Sequence, residues 1–131
     1  MEIQKMRPSY LIDTAILIDH LRGVALSTDW LQSLRDGEAI ISVITRAEVL
    51  SGGIPSETAA AFDLCEQFAC LPIIKETADH AAELRRKNGW KLPDALQAAL
   101  ALDHGLYLVT RNSRDFDPKK HSFALIPYVL K

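Results

Sequence analysis

The feature that most constrains this chain is a rhythm. Short apolar, largely β-branched runs alternate with longer segments of helical period. Residues 9–12 (Ser-Tyr-Leu-Ile), 39–44 (Ala-Ile-Ile-Ser-Val-Ile), 71–74, 106–110 and 123–126 are each too short for a helix and read as strands. Between them, apolar residues recur at three and four over 14–22 and 27–35, and Thr45 opens a helix that Gly52-Gly53 breaks. An alanine-rich helix over 55–70 starts at Pro55-Ser56-Glu57, and helices over 76–87 and 93–102 end near Gly89 and Gly105, the second with Pro93 in its first turn. Strands separated by helices of this length require a parallel sheet covered on both faces. The expected fold is therefore α/β, a three-layer α/β/α arrangement around a central parallel sheet of four to five strands.

At 131 residues the chain supports one core, and we expect a single domain over 1–131. With 48% hydrophobic and 24% charged residues, disorder, collagen and coiled coil are excluded. The longest apolar stretches, such as residues 15–18 and 106–109, fall far short of the ~20 residues of a bilayer span. Glu2, Lys5 and Arg7 precede the first strand without a leader-like apolar region. Cys65 and Cys70 have neither a second pair nor nearby histidines and read as buried thiols, which suits a reducing cytoplasm. Charge is unevenly spread: residues 85–120 carry eight basic and four acidic side chains, while the remainder carries seven and thirteen. Such an asymmetry can mark an anionic partner.

In open α/β sheets ligands bind beyond the carboxyl ends of the strands, where the strand order reverses. Polar residues fall at those ends. Asp13-Thr14 follows the first strand, Glu48 lies one helical turn past the second, Thr110, Asn112 and Asp115 follow the fourth, and Asp94 starts the helix leading into it. Hard oxygen ligands of this kind suit Mg²⁺ or Mn²⁺, and clustered carboxylates repel one another unless a cation sits among them. Each residue also has a structural reading. Thr45-Arg46-Ala47-Glu48 is a capping box, Asp94 complements a helix dipole, Asp13 is an N-cap, and Asp115 forms a turn. Asp117 before Pro118 reads as a turn residue outside the site, although spacing alone leaves Asp115 and Asp117 as competitors for the last position. No serine has a His/Asp constellation, and His20, His80, His104 and His121 have no mutual ligand spacing; the first three read as helix-surface residues.

The chain resembles PIN-domain nucleases, in particular the VapC-like toxins of toxin–antitoxin pairs. The resemblance is carried by Tyr-Leu-Ile-Asp-Thr at 10–14, Ile-Leu-Ile-Asp-His-Leu-Arg-Gly at 16–23, Ile-Ser-Val-Ile-Thr-Arg-Ala-Glu-Val-Leu-Ser-Gly at 41–52, Leu-Pro-Asp-Ala-Leu-Gln-Ala-Ala-Leu-Ala at 92–101 and Leu-Val-Thr-Arg-Asn-Ser-Arg-Asp-Phe at 108–116. It implies a PIN-like fold in which Asp13, Glu48, Asp94 and Asp115 are the catalytic, metal-holding acids, supported by Thr14, Thr110 and Asn112. The implied activity is Mg²⁺-dependent (or Mn²⁺-dependent) endoribonuclease chemistry, in which a metal-activated water attacks an RNA phosphodiester. The resemblance further implies a homodimer and a small antitoxin partner covering the active-site groove, for which the helix over 55–70 and the one before it are natural docking surfaces. RNA beside so many acids needs compensating cations, and Arg46, Lys91, Arg111 and Arg114, adjacent in sequence to the acids, are the candidates. Two other readings stand beside this one. A receiver-like phosphoacceptor would need an aspartate where Lys75-Glu76 follows the third strand, and a PIN-fold binding module without nuclease activity would be favoured by a missing acid.

Overall fold

The computed structural model describes residues 8–52 and 57–131. Five strands, β1 (Tyr10–Ile12), β2 (Ala39–Ser42), β3 (Ala69–Leu71), β4 (Tyr107–Val109) and β5 (Ala124–Leu125), form one sheet in the order β3-β2-β1-β4-β5. Every pairing is parallel. The helices are α1 (Thr14–Leu21), α2 (Ala25–Gln32), α3 (Val43–Ser51), α4 (Thr58–Glu66), α5 (Lys75–Asn88) and α6 (Leu92–His104). The order winds outward from β1 to β3, then returns to the other side of β1 with β4. The reversal therefore falls between β1 and β4, where a crevice opens at the carboxyl edge.

Period-two alternation divides the strands between two cores. Leu11, Ile40 and Leu108 point toward α5 and α6, packing with Ala81, Trp90 and Leu100. Ile12, Ile41 and Val109 point to the other face, where they meet Ile16 and Leu17 of α1, Val49 of α3 and Leu64 of α4. On α6 the buried face is built largely from Ala95, Ala98, Ala99 and Ala101, whose small side chains let the helix lie close to its neighbours. Gly89 and Gly105 end α5 and α6 at φ +73° and +65°, the left-handed conformation that glycine adopts without strain. The three-layer α/β/α expectation holds, with five strands.

Several boundaries differ from the sequence reading. β3 lies at Ala69–Leu71 rather than 71–74, because Pro72 has no N–H to continue the ladder. The helix expected over 55–70 spans Thr58–Glu66; its expected start at Pro55-Ser56 lies outside the described residues. Helix α3 starts at Val43, not Thr45, because Ser42 caps it, its Oγ accepting from the Thr45 N–H at 3.1 Å. Cys65 is buried as expected, but Cys70 is exposed, since β3 is an edge strand with no neighbour beyond it. Burial pushes both thiols above the ordinary cysteine value. Among the described residues no helix is long and apolar enough to cross a membrane.

Leu108 is fully buried on the central pair of strands. Leu108→Ala is expected to destabilise the fold by about 2–5 kcal/mol, measured as a lowered urea midpoint with unchanged m-value.

Candidate active site

The site forms where β1 and β4 end. Asp13 leaves β1 with its N–H still in the sheet, donating to the Val109 carbonyl at 2.9 Å. Its side chain then caps α1, Oδ1 accepting from the Thr14 N–H at 2.9 Å. The same carboxylate accepts from the Thr110 hydroxyl at 2.8 Å on Oδ2 and from Gln97 Nε2 at 3.3 Å on Oδ1. Three further segments, α1, α6 and the end of β4, thus converge on one acid. The structural and functional readings of Asp13 coincide: it is an N-cap and it faces the crevice.

Glu48 does not close a capping box. Ser42 has taken the cap, and Glu48 Oε1 accepts instead from the Thr14 hydroxyl at 2.7 Å. Asp94 sits in the first turn of α6, where the helix dipole favours a negative charge. Asp115 belongs to a turn that Asn112 builds: Asn112 Nδ2 donates to Asp115 Oδ2 at 2.9 Å, and the Asp115 N–H donates to Asn112 Oδ1 at 3.2 Å. Thr110 ties this turn to Asp13, its hydroxyl oxygen accepting from the Asn112 N–H at 3.1 Å. Asp117 instead organises the next turn, accepting from the backbone of Lys119, Lys120 and His121.

An open cleft of ≈ 320 Å³ is lined by Asp13, Thr14, Glu48, Asp94, Gln97 and Arg111, among others. Burial, followed by the charges of Asp13, Asp115 and Glu48, raises the Asp94 carboxyl above its ordinary value, and Lys91 opposes the rise. Asp94 therefore feels the other three sequence-selected acids, and Asp117 is not among the charges that act on it. Among the described residues no three His, Cys, Asp or Glu are close enough as they lie to enclose an ion. A magnesium-type ion does not need such a cage; it keeps several waters and uses one or two carboxylates. The all-oxygen donor set fits it, as does Gln97 Oε1, a buried acceptor with no partner among the described residues. A larger cavity of ≈ 520 Å³ on the α2–α4 side, lined by His20, Thr28, Leu31 and Leu64 among others, gathers only Asp36 as an acid and lacks this convergence.

The candidate cations separate. Arg46 turns to α4, 2.8 Å from Glu66, with its guanidinium over the Phe62 ring. Lys91 acts on Asp94, and Arg114 is solvent-exposed beside Asp115 at 3.6 Å. Arg111 lines the cleft while pairing with Asp19, whose side chain is 5% exposed. Tyr128 also donates to Asp19, at 2.7 Å, and burial together with that bond pushes its hydroxyl up to about 12. His20 and His80 are half-buried and hydrogen-bonded to Thr28 and Asp103; His104 is exposed.

Sequence reasoning missed Gln97, Thr45, Asp19 and Tyr128. Gln97 Nε2 donates to Thr45 Oγ1 at 2.7 Å, and both side chains are buried behind the acids. A usable signal existed: Gln97 lies three residues after Asp94 and Thr45 three before Glu48, so each shares a helix face with an acid.

This combination of parallel sheet, strand-end acids and crevice agrees with comparison to known families. Residues 10–120 match the PIN domain, and the chain belongs to the PIN-domain family. It is 37% identical over 108 residues to Ribonuclease VapC10 of Mycobacterium tuberculosis, covering 78% of this chain and 81% of that protein. A toxin–antitoxin complex from Klebsiella pneumoniae contains a chain that superposes with a TM-score of 0.84 at 32% identity, over 93% of this chain and 100% of that one. FitAcB from Neisseria gonorrhoeae shares the fold at a TM-score of 0.74 and 24% identity, over 90% and 97%.

Because the folded state raises Asp94, its ionised form opposes folding above the ordinary aspartate value of 3.8, and the penalty vanishes below it. Asp94→Asn is expected to melt higher than the parent in EDTA at pH 7, with the gap narrowing as the pH approaches 4. A variant melting lower at pH 7 would show instead that the charged carboxylate stabilises the fold.

Proposed function

We propose that this chain is a metal-dependent endoribonuclease, the toxin component of a toxin–antitoxin pair, acting as a single domain over 1–131. The observation that carries the reading is that Asp13, Glu48 and Asp94 line the crevice between β1 and β4, with Asp115 near enough for its charge to act on Asp94. The 37% identity to a protein named a ribonuclease supports it. In this reading Asp13 and Asp94, assisted by Glu48 and Asp115, hold Mg²⁺ or Mn²⁺. An ion held there would supply charge to offset the phosphate and a water acidic enough to act as nucleophile near neutral pH.

The chain's own residues supply orientation. Three donors fix both oxygens of Asp13, so it is presented with little freedom left to lose. Thr14 holds one oxygen of Glu48, and Asn112 one oxygen of Asp115. Asp94, which accepts no hydrogen bond from the described residues, keeps its oxygens available. Lys91 and Arg114, beside the acids, offset their repulsion of the RNA backbone.

An antitoxin partner is supported by the 32%-identical relative solved as a toxin–antitoxin complex. The α3–α4 surface, with Phe62 exposed on α4, is the docking face we assign to it, beside self-association into a homodimer. An RNA substrate and two unpaired cysteines support a reducing cytoplasm as the place of action.

Cleavage of total bacterial RNA by the purified protein, with Mg²⁺, Mn²⁺ or EDTA, tests the activity. Cutting is expected with either metal and not with EDTA, and Asp13→Asn and Asp94→Asn should each lose at least ~100-fold while staying folded. Cutting that survives EDTA, or both variants cutting normally, would overturn the assignment. Absence of both cutting and calorimetric metal binding would leave a PIN-fold binding module.

A further inference from the structure

We infer that Arg111 is the phosphate-gripping cation of the cleft, held in place by Asp19 of α1 and Tyr128 of the C-terminal segment acting as positioning residues. The inference rests on the nuclease reading and deepens it.

The geometry begins with a buried charge. Asp19 lies on α1, away from the metal-type acids, with its side chain only 5% exposed. Burial of a carboxylate is tolerable only if its oxygens are satisfied. Both are. Oδ2 accepts from Tyr128 at 2.7 Å and lies 2.6 Å from Arg111 Nε; Oδ1 accepts from Arg111 Nη2 at 3.1 Å. The Nε contact is an ion pair in distance, although its N–H is not aimed at the oxygen.

Asp19 therefore holds the guanidinium through a hydrogen bond from Nη2, with Nε lying against the other carboxylate oxygen. A guanidinium has five donors in a rigid plane. With that side of the plane against Asp19, the opposite edge, headed by Nη1, has no acceptor among the described residues. Arg111 is one-third exposed and lines the cleft beside Asp13, Asp94 and Gln97. Only one residue separates it from Asp13 in the network, since Thr110 donates to that acid. An anchored fork with a free edge is suited to take a non-bridging phosphate oxygen at little entropic cost. Of the other two arginines close to an acid in sequence, Arg46 spends its charge on Glu66 and Arg114 is solvent-exposed beside Asp115.

Tyr128 supports the arrangement from behind. It packs in the α1–α4 core, and it lines a second hollow together with Arg111, Ser113 and Ile126. Its hydroxyl holds the Asp19 oxygen that faces Nε, so its loss loosens Arg111 without altering any charge.

Removing Arg111 alone strands Asp19 as a buried, unpaired charge, so that variant is a poor probe. Asp19→Asn/Arg111→Gln removes both charges together, and Tyr128→Phe removes one hydrogen bond. Initial rates of Mg²⁺-dependent cleavage are measured against the concentration of total bacterial RNA from 50 to 200 mM salt, beside melting temperatures. (These concentrations bracket the range over which phosphate contacts change affinity most visibly.) The double variant is expected to melt near the parent, raise apparent KM about tenfold and leave kcat within about twofold. Its log KM should depend on log salt with a slope smaller by about 0.7, the increment for one phosphate contact on single-stranded RNA. Tyr128→Phe should raise KM about threefold, and Arg111→Lys, which keeps the charge but not the fork, should restore the salt slope but not the full affinity. A double variant that cleaves with parental KM and salt slope, whatever its melting temperature, would reduce the trio to a structural anchor. A parent that does not cleave RNA would overturn the nuclease reading and this inference with it.

Discussion

Everything at the crevice depends on what Asp13 is required to do at the end of β1. Its backbone makes the last bond of the central ladder, and its carboxylate begins α1 and receives donors from α6 and from the residue after β4. A neutral residue could cap the helix, and a charged one elsewhere could face the cleft. Only a short carboxylate at this point does both. The consequence is that the sheet's register and the site's geometry are the same fact: a slip of β1 by one residue would break the cap and turn the acid away together.

The acids beyond Asp13 are an electrostatic burden that the fold manages by unequal means. Glu48 and Asp115 accept hydrogen bonds from Thr14 and Asn112, which hold them in place. Asp94 is left without such a donor in a partly buried position, and burial and its neighbours raise it. The unequal treatment resembles the tuning seen where carboxylates share a site and one of them must stay available. Gln97 and Thr45 form the rear wall: they add polar atoms where an apolar core residue would otherwise sit, and the Gln97 oxygen is left facing no partner.

Much of the architecture was legible because parallel strands buried on both faces announce themselves as short β-branched runs. The layer arrangement and the strand-end positions of Asp13 and Thr110 follow from that, while Asp94 is placed by the helix start at Pro93. What was not legible came from competition between neighbours. Thr45 and Ser42 both have hydroxyls fit to cap α3, and the winner depends on where β2 leaves the sheet. Cys70 carries the composition of a buried thiol but is exposed on the edge strand β3. The 71–74 run lost to a proline at its second position. Asp19 and Tyr128 are 109 residues apart, and no local pattern joins an ordinary helix aspartate to a tyrosine in an irregular tail.

The alanines of α6 carry a consequence for how such a chain can change over generations. Asp94 and Gln97 ride on a helix whose packing is made by the methyl groups of Ala95, Ala98, Ala99 and Ala101 together with the Leu100 side chain. A core usually absorbs size changes by small shifts of whole elements. Here any such shift would carry two lining residues with it and change the width of the crevice. Mutational drift in this part of the interior is thus coupled to the active surface, and side-chain volume, more than polarity, is the property along which the helix is least free to wander.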